Sequence, residues 1–345
     1  MRIAIIGAGA IGSVAAAYLT KAGQDVILVG KAEQVFTINK SGLHVKGVWG
    51  DQTIKVAAQT KLDHDPDLVI FTIKTQDLAE ACQHNKEFLN HCFVLSSQNG
   101  VQADSILGSH FEKEKMLSSI VMFGATYVKP GDVTFNFEGD WIVGRPYSPV
   151  DSKTHAVAEV LKSAFPVVIS ANITGMKYLK LFVNFNNCIP ALIGKSMQET
   201  FADMDLCRLS ILLLKEGVDV IKKANIDMIS LPQFPVERIY GLVNMPGEQA
   251  AAIMNKTLTG LSREPLYGSI LQSIMRGKTS EIDFINGEIV HLAKQMRLSS
   301  PFNERMVAMV HEVERRGRFF ELEDVKKEFE LGAQHAVPVR NILEE

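Results

Sequence analysis

Two patterns of apolar positions alternate along the first half of the chain. Arg2–Ile6 is a compact apolar run with the length of a strand. Ala10 to Ala22 carries apolar residues at helical spacing and stops at Gly23, a residue suited to end a helix. Asp25–Val29 then reads as a second strand. Further strands are expected at Leu43–Val45, Thr53–Val56, Leu68–Ile73, Phe93–Ser96 and Leu117–Met122, with helices around Asp77–Gln83 and Gln102–Leu107. Strands that alternate with helices predict parallel βαβ units. Between Val121 and Gly144, four glycines punctuate β-rich pieces such as Val133–Phe137 and Trp141–Val143, which suggests antiparallel strands appended to the parallel sheet. A helix over Ser152–Ala164 and a strand over Val167–Ile169 close this part.

Beyond Gly175 the strand pattern nearly vanishes. Helical spacing covers Lys177–Ile193, Met204–Ala224, Ala250–Leu258, Tyr267–Arg276, Ile282–Gln295 and Asn303–Glu314, while Pro232, Pro235 and Pro246 break the connection Ile226–Gly247. Three segments follow: an α/β domain over residues 1–173, a helical domain over 174–320, and a charged tail over 321–345.

Composition narrows the function. With 36 Lys+Arg against 39 Asp+Glu, the chain has no overall basic field for a phosphate backbone, so nucleic acid is not an expected partner. Its four cysteines lack CxxC spacing and read as free thiols of a reducing compartment, hence a cytoplasmic protein. Ile3–Leu19 has the apolar character of a signal peptide, but glycines interrupt it where such a segment is continuous. No other run approaches the roughly 20 apolar residues that cross a bilayer, so no membrane partner is expected. Asp63-His64-Asp65 has the residue types of metal ligands but precedes Pro66 and a strand, so it reads as a polar loop and no metal is expected.

Gly7-Ala8-Gly9-Ala10-Ile11-Gly12 is a GxGxxG sequence placed after a strand and at the opening of a helix, with a second strand about twenty residues on. In that context Gly7 permits the tight turn, Gly9 lets the backbone approach a pyrophosphate, and Gly12 allows close helix–strand packing. The expected fold is therefore α/β: an N-terminal Rossmann-type doubly wound sheet followed by an all-helical C-terminal domain. An NAD site usually has an acid at the end of the second strand; here Lys31 stands there, a cation able to pair with a 2′-phosphate, which favours NADP(H). Glu33 nearby leaves NADH open, and Lys31 also reads as a solvated surface charge.

In the helical half, Lys180, Asn184 and Asn187 fall at i, i+4 and i+7, on one polar stripe of an otherwise apolar helix. Burial lowers the pKa of a lysine and suits it to donate a proton near neutral pH. A lysine that snorkels to water beside asparagines that cap loops is the alternative.

Together these motifs carry a resemblance. The glycine turn, Ile73-Lys74-Thr75, Gln98-Asn99-Gly100, Lys180-Leu181 with Asn184, and Ser280-Glu281-Ile282-Asp283-Phe284-Ile285-Asn286-Gly287 follow the order found in the ketopantoate reductases. From residue 1 to about Glu314 the chain resembles that 2-dehydropantoate 2-reductase family. The resemblance implies that Lys180 is the proton donor and that Glu281 lies near the nicotinamide ribose and the lysine. It assigns Asn184 and Ser269 to the substrate, Asn99 to the junction of cofactor and substrate, and Lys74 to the cofactor. Lys31 stands where the family often has an arginine for the 2′-phosphate.

Local readings compete with these roles: Ser280 to Asp283 has the form of a capping box, and Asn99-Gly100 that of a common turn. The chain also departs from the family. Cys188 stands where a second asparagine is usual, with Asn187 just before it, and Ser273 replaces a usual aspartate.

The function implied is NADPH-dependent reduction of ketopantoate to pantoate, a step toward pantothenate, with a small 2-oxo acid as the partner molecule. A family reductase acting on another 2-oxo acid or an imine, and a non-catalytic NADPH-binding sensor, remain as alternatives. The apolar faces around Leu212–Leu214 suit a homodimer through the helical domain and suit a core equally.

Overall fold

The computed structural model describes residues 1–331. Contacts divide the chain into two compact units, residues 1–180 and 181–345. The expected boundary at 173/174 falls at the start of a helix, Ile173–Asn184; the units part inside that helix.

In the first unit, β1 (Arg2–Ile6), α1 (Ala10–Lys21) and β2 (Asp25–Val29) are followed by α2 (Ala32–Ser41), β3 (Leu43–Gly47), β4 (Gln52–Ile54) and β5 (Ala57–Gln59). Next come β6 (Leu68–Phe71), α3 (Leu78–Asn85), β7 (Phe93–Ser96), α4 (Gln102–Gly108), β8 (Met116–Val121), β9 (Gly124–Lys129), β10 (Asp132–Phe137) and β11 (Trp141–Gly144). The last elements are α5 (Ser152–Lys162), β12 (Val167–Ser170) and the start of α6 (Ile173–Asn184).

Eight strands form one sheet in the order β12-β11-β8-β7-β6-β1-β2-β5. From β8 to β5 every pairing is parallel; β11 runs antiparallel to β8. The chain starts at β1, winds outward to β2 and β5, then returns to β6 on the other side of β1. That reversal places the topological switch point between β1 and β6, where open α/β sheets bind ligands at the carboxyl ends of their strands. Ala4, Ile5, Leu28, Leu68, Val69, Ile70, Phe71, Val94 and Leu95 are fully buried, as expected of strands covered on both faces.

The glycine-punctuated segment corrects one expectation. β9 and β10 do not join the main sheet; they form a second sheet, β4-β3-β10-β9, in which β10 lies parallel to β3 about ninety residues earlier in the chain. Gly47 makes that pairing possible. Its φ is +129°, and a Cβ there would lie 2.0 Å from the Phe135 carbonyl oxygen. Tyr18, Trp49, Phe123, Phe135, Trp141 and Phe165 fill the space behind it with edge and stacked contacts. Two more differences concern the same region: α2 and β5 match no expected element, and the strand expected over Thr53–Val56 is β4, which ends at Ile54.

The second unit is helical: α7 (Cys188–Ile193), α8 (Met197–Phe201), α9 (Met204–Lys223), α10 (Glu237–Asn244), α11 (Gly247–Thr259), α12 (Ser269–Met275), α13 (Asn286–Gln295), α14 (Pro301–Arg316) and α15 (Leu322–Glu328). Caps set several starts. The Asp203 carboxylate accepts from the N–H groups of Asp205 and Leu206, and Ser196 with Glu199 forms a capping box. Pro301 opens α14 and Gly317, at φ +64°, closes it. Leu213 and Leu214 are buried within this unit. At the start of the expected tail, Val325 is buried and Lys326 Nζ lies 2.7 Å from Asp203; residues 332–345 lie outside the described residues. Among the described residues no helix is long and apolar enough to cross a membrane.

Candidate active site

The glycine turn joins β1 to α1 at the switch point. Thr72, just past β6, donates its hydroxyl to the carbonyls of Gly7 (2.9 Å) and Ile6 (3.2 Å), locking the turn to the neighbouring strand. Gly7 has φ +126°, which disfavours any side chain. A Cβ on Gly12 would sit 1.9 Å from the Gly7 carbonyl oxygen and 2.4 Å from Thr72 Oγ1, so helix and strand meet there with no room for a methyl group. Gly9 is the opposite case: a Cβ there would meet nothing within 4 Å. Ala10, Ile11 and Gly12 form the first turn of α1, whose N–H groups have no intrahelical acceptor, and no acidic residue stands in that turn. The cradle fits a pyrophosphate.

Three further loops bear on this turn. Lys31 lies exposed between β2 and α2, its backbone N–H bonded to Gln34 Oε1 at 2.9 Å. Gln34 Nε2 reaches back to the Ala8 carbonyl at 2.7 Å, so one glutamine ties the second βα turn to the first. Past β6 comes Lys74, and past β7 comes Asn99. The intervening Gln98 is buried and donates to the carbonyls of Phe71 (2.8 Å) and Ile73 (3.0 Å), which joins the two loops. The unit thus brings Gly7–Gly12, Lys31, Lys74 and Asn99 to the carboxyl ends of four adjacent strands. Thr72 and Gln34 have no part in the sequence motifs, and Gln98 enters them only as the residue before Asn99; glutamine at the third position of a helix and polar residues just past a strand are the available signals.

Lys180 lies on α6. Burial alone brings its ammonium down to about 8. The continuous helix expected over Lys177–Ile193 does not form: α6 ends at Asn184, Phe185–Asn187 make one 3₁₀ turn, and α7 begins at Cys188. Pro190 supplies the reason, since its ring clashes with the carbonyl four residues back and it has no N–H to give. Lys180 and Asn184 keep their i, i+4 relation, whereas the tighter turn carries Asn187 out of the phase a straight helix would give it.

Within the second unit, Asn187 packs against the backbone ahead of α12: a Cβ on Gly268 would lie 2.6 Å from its Oδ1. Ser269, the first residue of that helix, is exposed. Asn187 and Ser269 are therefore brought together. Cys188, by contrast, is fully buried, donates to the Phe185 carbonyl at 3.0 Å, and has its thiol pushed up to about 12 by burial. It lines no pocket. Ser273 donates to the Ser269 carbonyl at 3.1 Å.

Glu281 is not in the first turn of an α-helix, contrary to the capping-box reading. Ile282–Phe284 form a 3₁₀ turn and α13 starts only at Asn286. Ser280 instead gives its N–H to Glu314 (2.7 Å) and accepts from the Ile282 N–H (3.3 Å). His311 bridges Glu314 (3.0 Å) and Asp283 (2.9 Å), so α14 clamps the segment on both sides of Glu281. Burial lowers the His311 pKa, but the two carboxylates outweigh it and hold the imidazole above its ordinary value. Among the described residues no group of three or more His, Cys, Asp or Glu side chains is placed to hold a metal ion. Asp63 and His64 pair with each other at the surface.

Comparison with known proteins agrees with this architecture. A family model described as ketopantoate reductase PanE/ApbA matches residues 3–147, and one described as its C-terminal part matches residues 172–314. The 2-dehydropantoate 2-reductase of Pyrococcus abyssi is 31% identical over 307 residues, covering 88% of this chain and 94% of the relative. That of Pyrococcus horikoshii is 30% identical over 316 residues, covering 90% and 96%. A solved PanE/ApbA family ketopantoate reductase from Ralstonia eutropha superposes with a TM-score of 0.77 at 26% identity, over 92% of this chain and 99% of that one. D-mandelate dehydrogenase solved with NADH has the same TM-score at 23% identity, which is a likeness of fold. With both halves matched and the fold shared, this chain is an oxidoreductase belonging to the ketopantoate reductase family.

Proposed function

We propose that the protein reduces the carbonyl of a 2-oxo acid, ketopantoate first among them, with NADPH. The observation that carries this is Lys180: a lysine of α6 whose proton burial loosens to about 8, in a chain whose first unit holds a pyrophosphate cradle. Bound reduced nicotinamide supplies a hydride to the substrate's C2. The Gly7–Gly12 turn holds the pyrophosphate through N–H groups of α1, and Lys31 pairs with the 2′-phosphate. Lys74 and Asn99 complete the cofactor side. Lys180 gives its proton to the carbonyl oxygen as negative charge grows there and, before transfer, stabilises that charge. The family resemblance assigns Asn184 and Ser269 to the substrate, and Glu281 to the nicotinamide ribose and the lysine; Asn187, packed at the start of the helix that carries Ser269, joins them on the substrate side.

The direct test follows NADPH oxidation by absorbance with ketopantoate, pyruvate, 2-oxoisovalerate and an amine–oxo-acid mixture. Efficient turnover of ketopantoate alone supports the reading. Tight NADPH binding with no turnover of any acid refutes the reductase assignment and favours a sensor. A preference for a less hydroxylated acid supports the second reading, a related 2-oxo acid reductase, which the Ser273 position favours. A serine bonded to its own helix carries no charge toward a substrate where the family's aspartate would.

Lys31 makes a separate prediction. Lys31→Ala weakens NADPH binding by roughly tenfold or more, the worth of one charge-assisted hydrogen bond, and leaves NADH binding nearly unchanged. Fluorescence titration with both nucleotides reads this; equal losses for the two would remove Lys31 from the 2′-phosphate.

A further inference from the structure

One buried ion pair in the first unit has no part in the chemistry just described. Lys177 is 2% exposed, and its ammonium lies 2.9 Å from Asp104 Oδ2 and 3.4 Å from Ser96 Oγ. Ser96 also donates to Asp104 Oδ1, and Ser118 donates to Asp104 Oδ2 at 2.8 Å. Ser96 and Ser118 are register partners on β7 and β8 and are wholly buried. No substrate reaches this cluster. Replacing a buried ion pair with apolar residues of similar volume is often neutral or stabilising, so stability alone gives little reason for one here.

Its position in the chain is informative. Asp104 lies on α4, five residues after Asn99, and Ser96 lies three residues before Asn99. Lys177 lies on α6, three residues before Lys180. In an α-helix three residues amount to a rotation of about 300° and a rise of about 4.5 Å, so fixing Lys177 fixes where Lys180 leaves the helix. The start of α6 is held by two other contacts. Asn172 Oδ1 accepts from the Gly175 N–H at 2.9 Å, and Ile173 packs so closely on Gly144 that a Cβ there would approach its own to 2.7 Å. Those contacts seat the first turn; the ion pair sets the turn that follows it.

We propose that the Lys177–Asp104 pair is a positioning device, which sets the rotation of α6 and so the direction of Lys180 relative to the loop that carries Asn99. The proposal rests on the reading of Lys180 as proton donor. Lys177 and Asp104 are positioning residues, acting through Lys180 and through the β7–α4 loop.

The test is the full-length double variant Lys177→Met with Asp104→Leu, which removes both charges at once and leaves no buried ion unpaired. The substrate is ketopantoate, or the 2-oxo acid that turnover selects. The expected result is an NADPH Kd close to wild type and a modestly lower thermal midpoint, since the Ser96 and Ser118 hydroxyls lose their carboxylate acceptor, with kcat lower by tenfold or more and KM changed by less than threefold. The alkaline limb of kcat, set by Lys180, moves upward as that lysine leaves its buried setting. Because the deleted pair carries no net charge, the movement reports Lys180's surroundings and not a lost neighbouring charge. A purely structural pair would move the midpoint and leave the limb in place; kcat and limb at wild-type values overturn the proposal.

If the double variant does not fold, Asp104→Glu keeps both charges and lengthens the link by one methylene. A fall in kcat with a moved limb supports the proposal, and an unchanged profile overturns it. Lys180→Ala, assayed alongside, separates the two readings. Wild-type turnover in that variant overturns the proton-donor reading and this one with it. An inactive Lys180→Ala beside a fully active double variant overturns the positioning role alone.

Discussion

Lys180→Ala lowers kcat by about 10²- to 10⁴-fold, the usual contribution of a positioned general acid, and leaves the NADPH Kd within about twofold of wild type. The asymmetry follows from where the charge is needed. An ammonium that meets only the developing alkoxide stabilises the transition state and adds little to cofactor binding. The pH profile gives the same lysine a second signature. Reduction needs it protonated, so kcat is level below a pKa of about 8 and falls tenfold per unit above it. An unperturbed lysine would place that limb near 10.4. Steady-state kinetics from pH 6 to 10 with nucleotide fluorescence titration check both points. Turnover within threefold of wild type in the variant, or a limb above 10, would take Lys180 out of the reaction.

Two alanines in the glycine turn have opposite expected effects. Gly9→Ala folds with a melting temperature near wild type, because its backbone lies at φ −83° and its Cβ would enter open space. The same methyl group stands where a pyrophosphate must approach, so NADPH binding falls by roughly tenfold or more. Gly12→Ala acts on the fold. Its Cβ would overlap the Gly7 carbonyl and Thr72 Oγ1, and the helix must shift off the strand. A cost of about 3 kcal/mol, the upper end of the usual range for overpacking, fits a clash with backbone. For a unit of this size that lowers the melting temperature by roughly 6–12 °C. Thermal melts with and without NADPH separate the cases: the first variant loses the ligand-induced shift, the second loses the baseline. A Gly9→Ala protein that binds NADPH like wild type would show that the cofactor does not use this turn.

The site residues differ in how far the sequence reveals them. Gly7, Gly9 and Gly12 show themselves because a turn, a helix start and two strands occur within thirty residues; Gly7 and Gly12 answer a local steric demand, whereas Gly9 faces open space. Lys180 and Asn184 stand out as polar positions on an apolar helix. Asn187 looked like a third member of that stripe; Pro190, three residues later, breaks the helix and turns it toward Gly268. Cys188 drew attention as a departure from the family, yet it is a buried thiol bonded to its own helix turn. Glu281 was placed by its neighbours in the motif, while its clamp depends on His311 and Glu314, about thirty residues away. No spacing rule links those groups.

What the sequence determined alone is the order of elements β1–α1–β2, the glycine turn between the first two and the passage from α/β to all-helical chain. Hydrophobic period, glycine placement and proline all act over a few residues, so these features are written locally. Tertiary structure alone decided that β10 pairs with β3 and that Lys177 meets Asp104 across 73 residues of chain. A lysine on an apolar helix reads the same whether it snorkels to water or finds a carboxylate. Only the packing of β7, β8, α4 and α6 around one point removes the water and makes the difference.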